Sequence, residues 1–322
     1  MRKIAVLSSY MEEHHIRQII DTAQRCGFTA DFYPDDTIPP EKRGEYEVLY
    51  GMPDGPFLKT MTAMKWFCTP SAGVDTYCAD ELYCDPDNIL LTNSSGAYGI
   101  TIAEHILMVT LMLLRRQMDI QKIVDEGRWV RTLPVRSICG STITILGTGD
   151  IGTTFARRAK ALGAKAVYGV RRTKKAADPV FDQVCTHDEM DELLPRTDIL
   201  VMALPGTADT AGILSRRRIA LLPPNAYVVN VGRGSAVDQE ALMDALNAEM
   251  LAGAALDVMV PEPLPLGHPL RSTKNVLITP HVSGNMSLGI TRDLDVDMFC
   301  ADLENYTSGR PLKQLVNRKL GY

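Results

Sequence analysis

Short apolar runs alternate with stretches of helical periodicity along most of this chain. Apolar-rich runs at 4–7, 47–50, 65–68 and 89–92 predict strands in the first third, and residues 13–26 predict a helix. Further strands are predicted at 199–203, 227–231, 254–258 and 276–278. Because strand and helix patterns alternate, the sequence predicts an α/β fold with parallel sheets covered by helices.

Two helical stretches mark where the chain passes between domains. A long apolar helix is predicted over 101–124, and a final helix carries Leu294, Met298, Phe299 and Leu303. The final helix is expected to cross back and pack on the first lobe. We therefore expect residues 1–98 and 288–322 to form one domain and residues 99–287 the other, with a hinged cleft between them.

Composition and charge exclude several classes of protein. The 322 residues are 45% hydrophobic with a net charge of −5, and the isoelectric point is near 5.7. Nucleic-acid and membrane surfaces favour basic patches, so neither is expected as the main partner. The longest apolar stretch, 106–114, is far shorter than the roughly 20 residues that cross a bilayer. Seven scattered cysteines without a C-x-x-C pair favour reduced thiols, no metal site and a cytoplasmic location.

A glycine-rich turn lies near the middle of the chain. Residues 141–173 read as a strand, a G-x-G-x-x-G turn at Gly147, Gly149 and Gly152, a helix and a second strand. Glycine at these positions permits a tight turn, close approach of the backbone to a pyrophosphate, and close packing of helix on strand. Unpaired N–H groups and the helix dipole would favour the phosphates at the helix N-terminus. This order of elements predicts a Rossmann-type, doubly wound dinucleotide-binding domain.

The end of the second strand indicates which dinucleotide binds. That position usually carries an Asp or Glu for the adenosine ribose, but here Val170 occupies it and Arg171 and Arg172 follow. Lys174 and Lys175 extend the basic cluster. A carboxylate would repel a 2′-phosphate, whereas an Arg guanidinium binds one through paired hydrogen bonds. We therefore favour NADP(H), with NAD(H) possible if this segment is only a solvated basic loop.

Three later segments each place a polar side chain just after a predicted strand. NVGRG carries Arg233, ALDVMVPEPLP carries Asp257 and Glu262, and TPHVSG carries His281. In open parallel sheets, ligands bind outside the carboxyl ends of the strands. These side chains are therefore candidates for a common site.

Six ordered motifs carry a resemblance to a known family. SAGVD at 71–75, TNSSGAYGITIAEH at 92–105, GTGDIG, NVGRG, ALDVMVPEPLP and TPHVSG span essentially the full length. Their order and approximate spacing resemble those of the D-isomer-specific 2-hydroxyacid dehydrogenases, among them the glyoxylate/hydroxypyruvate reductases. The resemblance implies hydride transfer between NAD(P)H and a small 2-oxo acid, giving the D-2-hydroxy acid. It also implies a discontinuous, flavodoxin-like α/β substrate domain, a central nucleotide domain, and a homodimer built around the helix after Gly99.

The resemblance assigns chemical roles to four residues. Arg233 matches the catalytic arginine, whose planar charged fork holds the substrate carboxylate and polarises the carbonyl. His281 matches the general acid. Glu262 matches the partner that stabilises the charged imidazole and fixes its tautomer. Asp257 matches the aspartate beside the nicotinamide carboxamide, its alternative role being a strand-end cap.

Further binding residues follow from the same resemblance. Backbone N–H groups of Ala72 and Gly73 would meet the substrate carboxylate in a turn of small residues. Met52 and Tyr98 are candidates for the side wall of the substrate pocket, or are ordinary core. The remaining cofactor contacts are expected from Asp150, Ile151, Leu204, Pro205 and Val231.

The other histidines are interpreted as bystanders. His268 is expected to be structural, and His105 to be a packing or dimer contact. His14, His15 and His187 are expected at the surface.

The identity of the substrate stays open at this stage. The chain ends soon after the final helix, so we expect it to lack the regulatory domain of longer phosphoglycerate dehydrogenases. No basic cluster near residues 71–75 indicates a phosphate pocket. An unphosphorylated acid such as glyoxylate or hydroxypyruvate is favoured. The alternatives are an NAD-linked phosphoglycerate-type dehydrogenase and a dinucleotide-sensing, corepressor-like binding protein.

Overall fold

The computed structural model describes residues 2–33, 37–174, 176 and 178–322. Lys175 of the predicted basic cluster therefore lies outside the described residues. The chain forms two compact units, the first made of residues up to Tyr98 with Asn285–Tyr322 and the second of Gly99–Gly284. Each unit contains a parallel sheet with helices, which confirms the predicted α/β class. Among the described residues, no helix is both long and apolar enough to span a membrane.

The first unit contains a five-stranded parallel sheet. Its strands are β1 (Arg2–Leu7), β2 (Phe28–Tyr33), β3 (Val48–Tyr50), β4 (Trp66–Cys68) and β5 (Leu90–Thr92). Their order is β2-β1-β3-β4-β5, which is the flavodoxin-like order that the resemblance implied. The helices of this unit are α1 (Glu13–Arg25), α2 (Gly55–Leu58) and the final helix α8 (Gly289–Thr307). Helix α8 returns to this unit and packs against α1.

The second unit contains a seven-stranded parallel sheet. Its strands are β6 (Thr142–Leu146), β7 (Ala166–Arg171), β8 (Gln183–Thr186), β9 (Ile199–Met202), β10 (Tyr227–Asn230), β11 (Gly253–Leu256) and β12 (Val276–Ile278). The order β12-β11-β10-β9-β6-β7-β8 is that of a Rossmann-type sheet with one further strand, as predicted. The helices are α3 (Gly99–Leu114), α4 (Gln117–Asp125), α5 (Asp150–Ala161), α6 (Arg216–Ile219) and α7 (Gln239–Asn247).

The prediction of one helix over residues 101–124 is wrong, because the chain breaks between α3 and α4. Arg116 adopts a left-handed backbone conformation with φ of 55°, which a continuous right-handed helix cannot contain. Helix α3 is apolar and packs on α5, β10 and β11, whereas no residue of α4 is buried. The apolar run therefore predicted the buried helix but not its end.

Strands β2 and β8 have no counterpart among the predicted strands. Both lie at a sheet edge. Only Phe28 is buried in β2 and only Cys185 in β8. Polar residues interrupt both segments, so neither contains the continuous apolar run that marked the predicted strands.

His15 is buried, so the expectation that it lies at the surface is wrong. Its Nδ1 accepts the backbone N–H of Glu12 at 3.1 Å, which caps the start of α1. Its Nε2 faces the Asp293 carboxylate at 2.8 Å. The ring therefore joins the first turn of α1 to α8.

A buried carboxyl group lies at the centre of the first unit. Asp295 of α8 is 0% exposed. It accepts hydrogen bonds from the hydroxyls of Tyr50 and Ser94, at the carboxyl ends of β3 and β5. Burial raises the pKa of Asp295 from 3.8 to about 6, against the opposing effect of its hydroxyl donors.

The raised pKa predicts that stability falls as pH rises. The folded state holds the Asp295 proton more tightly than the unfolded state, so this stabilisation is complete below pH 3.8 and is lost as pH rises through 6. Compared with Asp295→Asn, the wild type should lose about 2 kcal/mol in free energy of unfolding between pH 4 and pH 7. Urea unfolding of both proteins at each pH measures this, and a constant difference would contradict it.

Candidate active site

The glycine turn has the geometry that dinucleotide binding requires. Gly147 has φ of 105°, and a Cβ there would lie 2.5 Å from the Ala203 carbonyl oxygen. A Cβ on Gly152 would lie 1.9 Å from the Gly147 carbonyl oxygen, so the helix could not pack on this turn. Around Gly149, in contrast, a Cβ would meet no described atom within 4 Å. The turn therefore leaves room in front of the N-terminus of α5, where a pyrophosphate fits.

The Asp150 carboxylate packs against the start of α3 and is partly buried. A Cβ on Gly99 would lie 2.3 Å from Asp150 Oδ1. Burial raises the pKa of Asp150, although hydrogen bonds from the Gly99 N–H and the Thr154 hydroxyl oppose the shift. Asp150 and Ile151 begin α5, where the backbone N–H groups have no partner within the helix. Their N–H groups, rather than the Asp150 side chain, are thus suited to phosphate.

The end of β7 presents a basic side chain where an acid is usual. Val170 is fully buried in the core and its carbonyl accepts the Gly147 N–H at 2.9 Å. Arg171 ends the strand, and its Nη1 donates to the Ala176 carbonyl at 3.2 Å. Arg172 and Lys174 are exposed, and Lys174 pairs with Glu189 at 2.6 Å. Three basic side chains therefore lie at or just after the end of β7, and one of them is paired with an acid.

The segments after β9 and β10 lie against each other at the same edge. Leu204 and Val231 are buried, and the Val231 N–H donates to the Met202 carbonyl at 3.0 Å. The Pro205 carbonyl accepts the Thr210 hydroxyl at 2.7 Å, which folds the loop after β9. This places the predicted cofactor residues along the carboxyl ends of the strands.

Arg233 follows β10 between two glycines that neighbouring backbone surrounds. A Cβ on Gly232 would lie 2.6 Å from the Leu204 carbonyl oxygen, and one on Gly234 would lie 2.3 Å from the Met259 carbonyl carbon. The glycines thus let three strand-end loops approach each other. Arg233 Nη1 donates to the Gly232 carbonyl at 2.8 Å, which folds the side chain back over this junction.

His281 and Glu262 form a close pair. His281 Nδ1 lies 2.7 Å from Glu262 Oε2, and Glu262 Oε1 accepts the Met259 N–H at 2.8 Å. The carboxylate therefore holds its own loop and the imidazole at once. The His281 side chain is 50% exposed, so a ligand can reach it. This is the acid and partner arrangement that general acid catalysis requires.

Asp257 is buried at the end of β11 and holds the segment that carries His281. It accepts the Thr279 hydroxyl at 2.6 Å and the backbone N–H groups of Val282 and Ser283 at 2.9 and 3.0 Å. Burial alone would raise the pKa of Asp257, but the donors from Ser283, Thr279 and Val282 lower it. Its side chain is only 1% exposed, which leaves little surface for a nicotinamide.

In the first unit, the SAGVD segment forms a turn that neighbouring polar groups hold. The Ala72 carbonyl accepts Asn93 Nδ2 at 2.8 Å, and the Ser71 carbonyl accepts the Ser94 N–H at 3.0 Å. Tyr98 is 5% exposed and donates a hydrogen bond from its hydroxyl to the carbonyl of Pro70, the residue before the turn, which stabilises the turn. These bonds fix the backbone on which the N–H groups of residues 72 and 73 are displayed.

Met52 and two histidines complete the predicted set. Met52 follows β3 and is 53% exposed. His268 Nδ1 accepts the Leu270 N–H at 3.2 Å and caps a short 3-10 helix. His187 follows β8 and is half-buried rather than at the surface, and burial lowers its pKa.

Comparison with known proteins identifies the family. The model of the D-isomer specific 2-hydroxyacid dehydrogenase NAD binding domain matches residues 107–283. Glyoxylate/hydroxypyruvate reductase B of Pectobacterium carotovorum subsp. carotovorum (strain PC1) is 31% identical over 260 residues, covering 79% of this chain and 78% of that protein. The chain belongs to the D-isomer specific 2-hydroxyacid dehydrogenase family.

Solved structures of the 2-hydroxyacid dehydrogenase family have the same fold along nearly the whole chain. A family protein from Aeromonas salmonicida subsp. salmonicida A449 gives a TM-score of 0.86 at 29% identity, covering 98% of this chain and 99% of that one. The enzyme from Xanthobacter autotrophicus Py2, solved in complex with NADPH and MES, gives 0.82 at 27% identity and covers 100% and 99%. This 2-hydroxyacid dehydrogenase is therefore an NAD(P)-dependent oxidoreductase acting on a small 2-oxo or 2-hydroxy acid.

The sequence analysis of this dehydrogenase missed residues that hold the predicted segments in place within each unit. Asn93 and Ser94 hold the SAGVD turn, and Thr279 holds Asp257. Asn93 and Ser94 follow β5 directly, so their place at a strand end was a usable signal. Thr279 follows β12 in the same way.

Proposed function

We propose that the chain reduces an unphosphorylated 2-oxo acid of the glyoxylate or hydroxypyruvate type to the D-2-hydroxy acid, with NADPH as the preferred donor. The observation that carries this proposal is the His281–Glu262 pair, 2.7 Å apart, in the segments that follow β12 and β11. The relative from Pectobacterium is named as a glyoxylate/hydroxypyruvate reductase, which supports the substrate class.

Each residue of this group has a distinct role in the proposed reaction. Bound NAD(P)H supplies the hydride for C2 of the substrate. The Arg233 guanidinium holds the substrate carboxylate and carbonyl oxygen, which polarises the C=O bond. Because His281 Nδ1 faces Glu262, Nε2 points away from that carboxylate and donates its proton to the oxygen of C2. Glu262 stabilises the imidazolium before the transfer.

The substrate carboxylate is assigned to the N–H groups of Ala72 and Gly73. Asn93 and Ser94 hold this turn, so the donors are preorganised. No Lys or Arg occurs in the sequence between Lys65 and Arg115, a stretch that includes β4, β5 and the SAGVD turn. This stretch therefore offers no cationic side chain of its own to a substrate phosphate, which favours a small unphosphorylated acid. Met52, exposed after β3, is proposed as a side-wall contact.

NADPH oxidation by the purified protein tests the proposed substrate class. The panel contains glyoxylate, hydroxypyruvate, pyruvate and 3-phosphohydroxypyruvate. Turnover highest with one of the first two acids supports the proposal. Turnover highest with the phosphorylated acid would show that the substrate class is wrong.

The preference for NADPH is assigned to the carboxyl end of β7. Arg171 ends this strand and Arg172 follows. NAD-binding domains usually carry a ribose-binding carboxylate in this region, and that carboxylate would repel a 2′-phosphate. The similar enzyme from Xanthobacter autotrophicus was solved with NADPH. We therefore propose that Arg171 and Arg172 bind the 2′-phosphate.

Replacing both arginines is expected to weaken NADPH binding selectively. Charged hydrogen bonds to phosphate contribute about 1.5–3 kcal/mol each, so Arg171→Ala with Arg172→Ala should raise KM for NADPH on the order of 10²- to 10⁴-fold. KM for NADH should stay within about 2-fold, since NADH has no 2′-phosphate. Lys165→Ala is the matched control, because this exposed Lys precedes the opposite end of the same strand. Equal changes for both cofactors would contradict the assignment.

A homodimer is proposed from an apolar patch on the second unit. Exposed apolar side chains occur on α3, on α4 and in the segment that follows: Met108, Leu111, Met118, Val124, Trp129, Val130 and Val135. Trp129 is 87% exposed. Large exposed apolar patches mark interaction sites, and Trp is enriched among the residues that dominate binding energy. A second copy of the chain is the partner that the family resemblance implies.

Trp129→Ser is expected to favour the monomer. Loss of one interface hot spot, about 2 kcal/mol, should raise the dimer dissociation constant about 30-fold. Sedimentation velocity over a range of concentrations measures this. Leu266→Ser is the control, because Leu266 is 91% exposed but lies outside the patch. A monomeric wild type would overturn the dimer proposal.

A cytoplasmic location is proposed from the thiols. All seven cysteines are free, and Cys84 and Cys139 are exposed. Free exposed thiols are typical of proteins in reducing compartments. Fractionation of the source cells tests this location.

A further inference from the structure

The backbone at His281 adopts a conformation that depends on its surroundings. Its φ is 54°, in the left-handed region that residues other than glycine adopt rarely. Such a conformation persists only where neighbouring contacts determine it. The His281 N–H donates to the carbonyls of Asp257 at 2.9 Å and Thr279 at 3.1 Å. The position of the imidazole therefore depends on the contacts that fix Asp257 and Thr279.

The Asp257 carboxylate fixes the chain on the far side of His281. It accepts the N–H groups of Val282 and Ser283, the two residues that follow His281. Its Oδ1 also accepts the Thr279 hydroxyl at 2.6 Å, two residues before His281. One buried carboxylate thus holds the segment on both sides of the histidine.

His105 of α3 extends this network. Its Nε2 lies 3.2 Å from Thr279 Oγ1 and 3.9 Å from Asp257 Oδ1. Because the Thr279 proton is directed to Asp257, the Thr279 oxygen accepts the N–H of His105, which assigns the proton to Nε2. Burial lowers the pKa of His105, against the opposing charge of Asp257. The ring is only 11% exposed, so its role is inside the protein.

We propose that His105 and Thr279 are positioning residues for the reduction. The chain of hydrogen bonds from His105 through Thr279 to Asp257 holds the left-handed backbone at His281 and so aims the imidazole at the substrate. Helix α3 packs on β11, which brings His105 to the strand ends. The proposal rests on the general acid role proposed for His281.

Paired variants of Thr279 test whether the hydroxyl positions His281. Thr279→Val removes the hydroxyl with little change of shape, and should lower kcat on the order of 10- to 100-fold with KM for NADPH unchanged. Thr279→Ser restores the hydroxyl and should return kcat to within about 3-fold of the wild type. Thr144→Val is the control, because the Thr144 hydroxyl is fully buried and, like that of Thr279, bonds another side chain, Thr197 Oγ1 at 2.6 Å. It should change thermal stability and not kcat.

A second pair at His105 keeps the test decisive if Thr279→Val does not fold. His105→Gln can still present an N–H near the Nε2 position, whereas His105→Met cannot. Gln should therefore retain more kcat than Met at equal thermal stability. Equal kcat in Gln and Met, or equal loss in Thr279→Ser and Thr279→Val, would overturn the proposal. An active His281→Ala would instead overturn the proposed function, so the two failures are distinguishable.

Discussion

His281→Ala is expected to lower kcat for reduction of glyoxylate by about 10²- to 10⁴-fold, the usual contribution of general acid catalysis. The imidazole is half-exposed and its Nδ1 is held 2.7 Å from Glu262. Removing the ring removes the proposed proton donor for the carbonyl oxygen, while the glycine turn proposed for the cofactor is unchanged. Stopped-flow or steady-state NADPH oxidation measures the loss, and fluorescence titration should show unaltered NADPH binding.

His268→Ala is the matched control for His281→Ala. Its Nδ1 caps the short 3-10 helix that begins at Pro269, in the same unit. Loss of a cap costs about 1 kcal/mol of stability, so thermal unfolding should shift while kcat stays near the wild type. If His281→Ala keeps near-wild-type turnover and His268→Ala does not, the acid has been assigned to the wrong histidine.

Arg233→Ala is expected to lower kcat/KM by about 10²- to 10³-fold or more, the typical cost of removing one donor that stabilises developing negative charge. Both kcat and KM should change, because the guanidinium is assigned to the substrate carboxylate and to the carbonyl oxygen. Arg233→Lys keeps a positive charge but loses the planar fork. It should therefore recover only part of the rate, as steady-state kinetics with glyoxylate and hydroxypyruvate would show.

The control for Arg233 is another arginine of the second unit. Arg216 is exposed and pairs with Asp244 at 2.8 Å on the surface. Exposed ion pairs contribute little, so Arg216→Ala should leave kcat/KM unchanged. A full-rate Arg233→Lys would show that charge alone suffices and that paired hydrogen bonds are not needed.

Several features of the protein were accessible from the order of residues alone. The central strands are continuous apolar runs because parallel strands are buried on both faces. The glycine turn was recognisable because Gly147 and Gly152 each occupy a place where a Cβ would collide with backbone. The placement of Arg233, Glu262 and His281 after successive strands followed from the strand pattern, because strand ends of a parallel sheet meet at one edge. Each of these signals is local in sequence.

Only the tertiary structure revealed the features that depend on contacts between residues distant in sequence. Strands β2 and β8 are held by pairing at sheet edges, with too little burial for an apolar signal. Only the structure shows that the glycines beside Arg233 lie against the backbone of Leu204 and Met259, where a Cβ would collide. His105 looked like a packing residue, yet it bonds Thr279, which lies 174 residues away in sequence. A hydrogen bond that forms because α3 packs on the sheet produces no sequence motif around either residue. Each residue's neighbours in sequence are set by its own helix or strand and not by the distant partner.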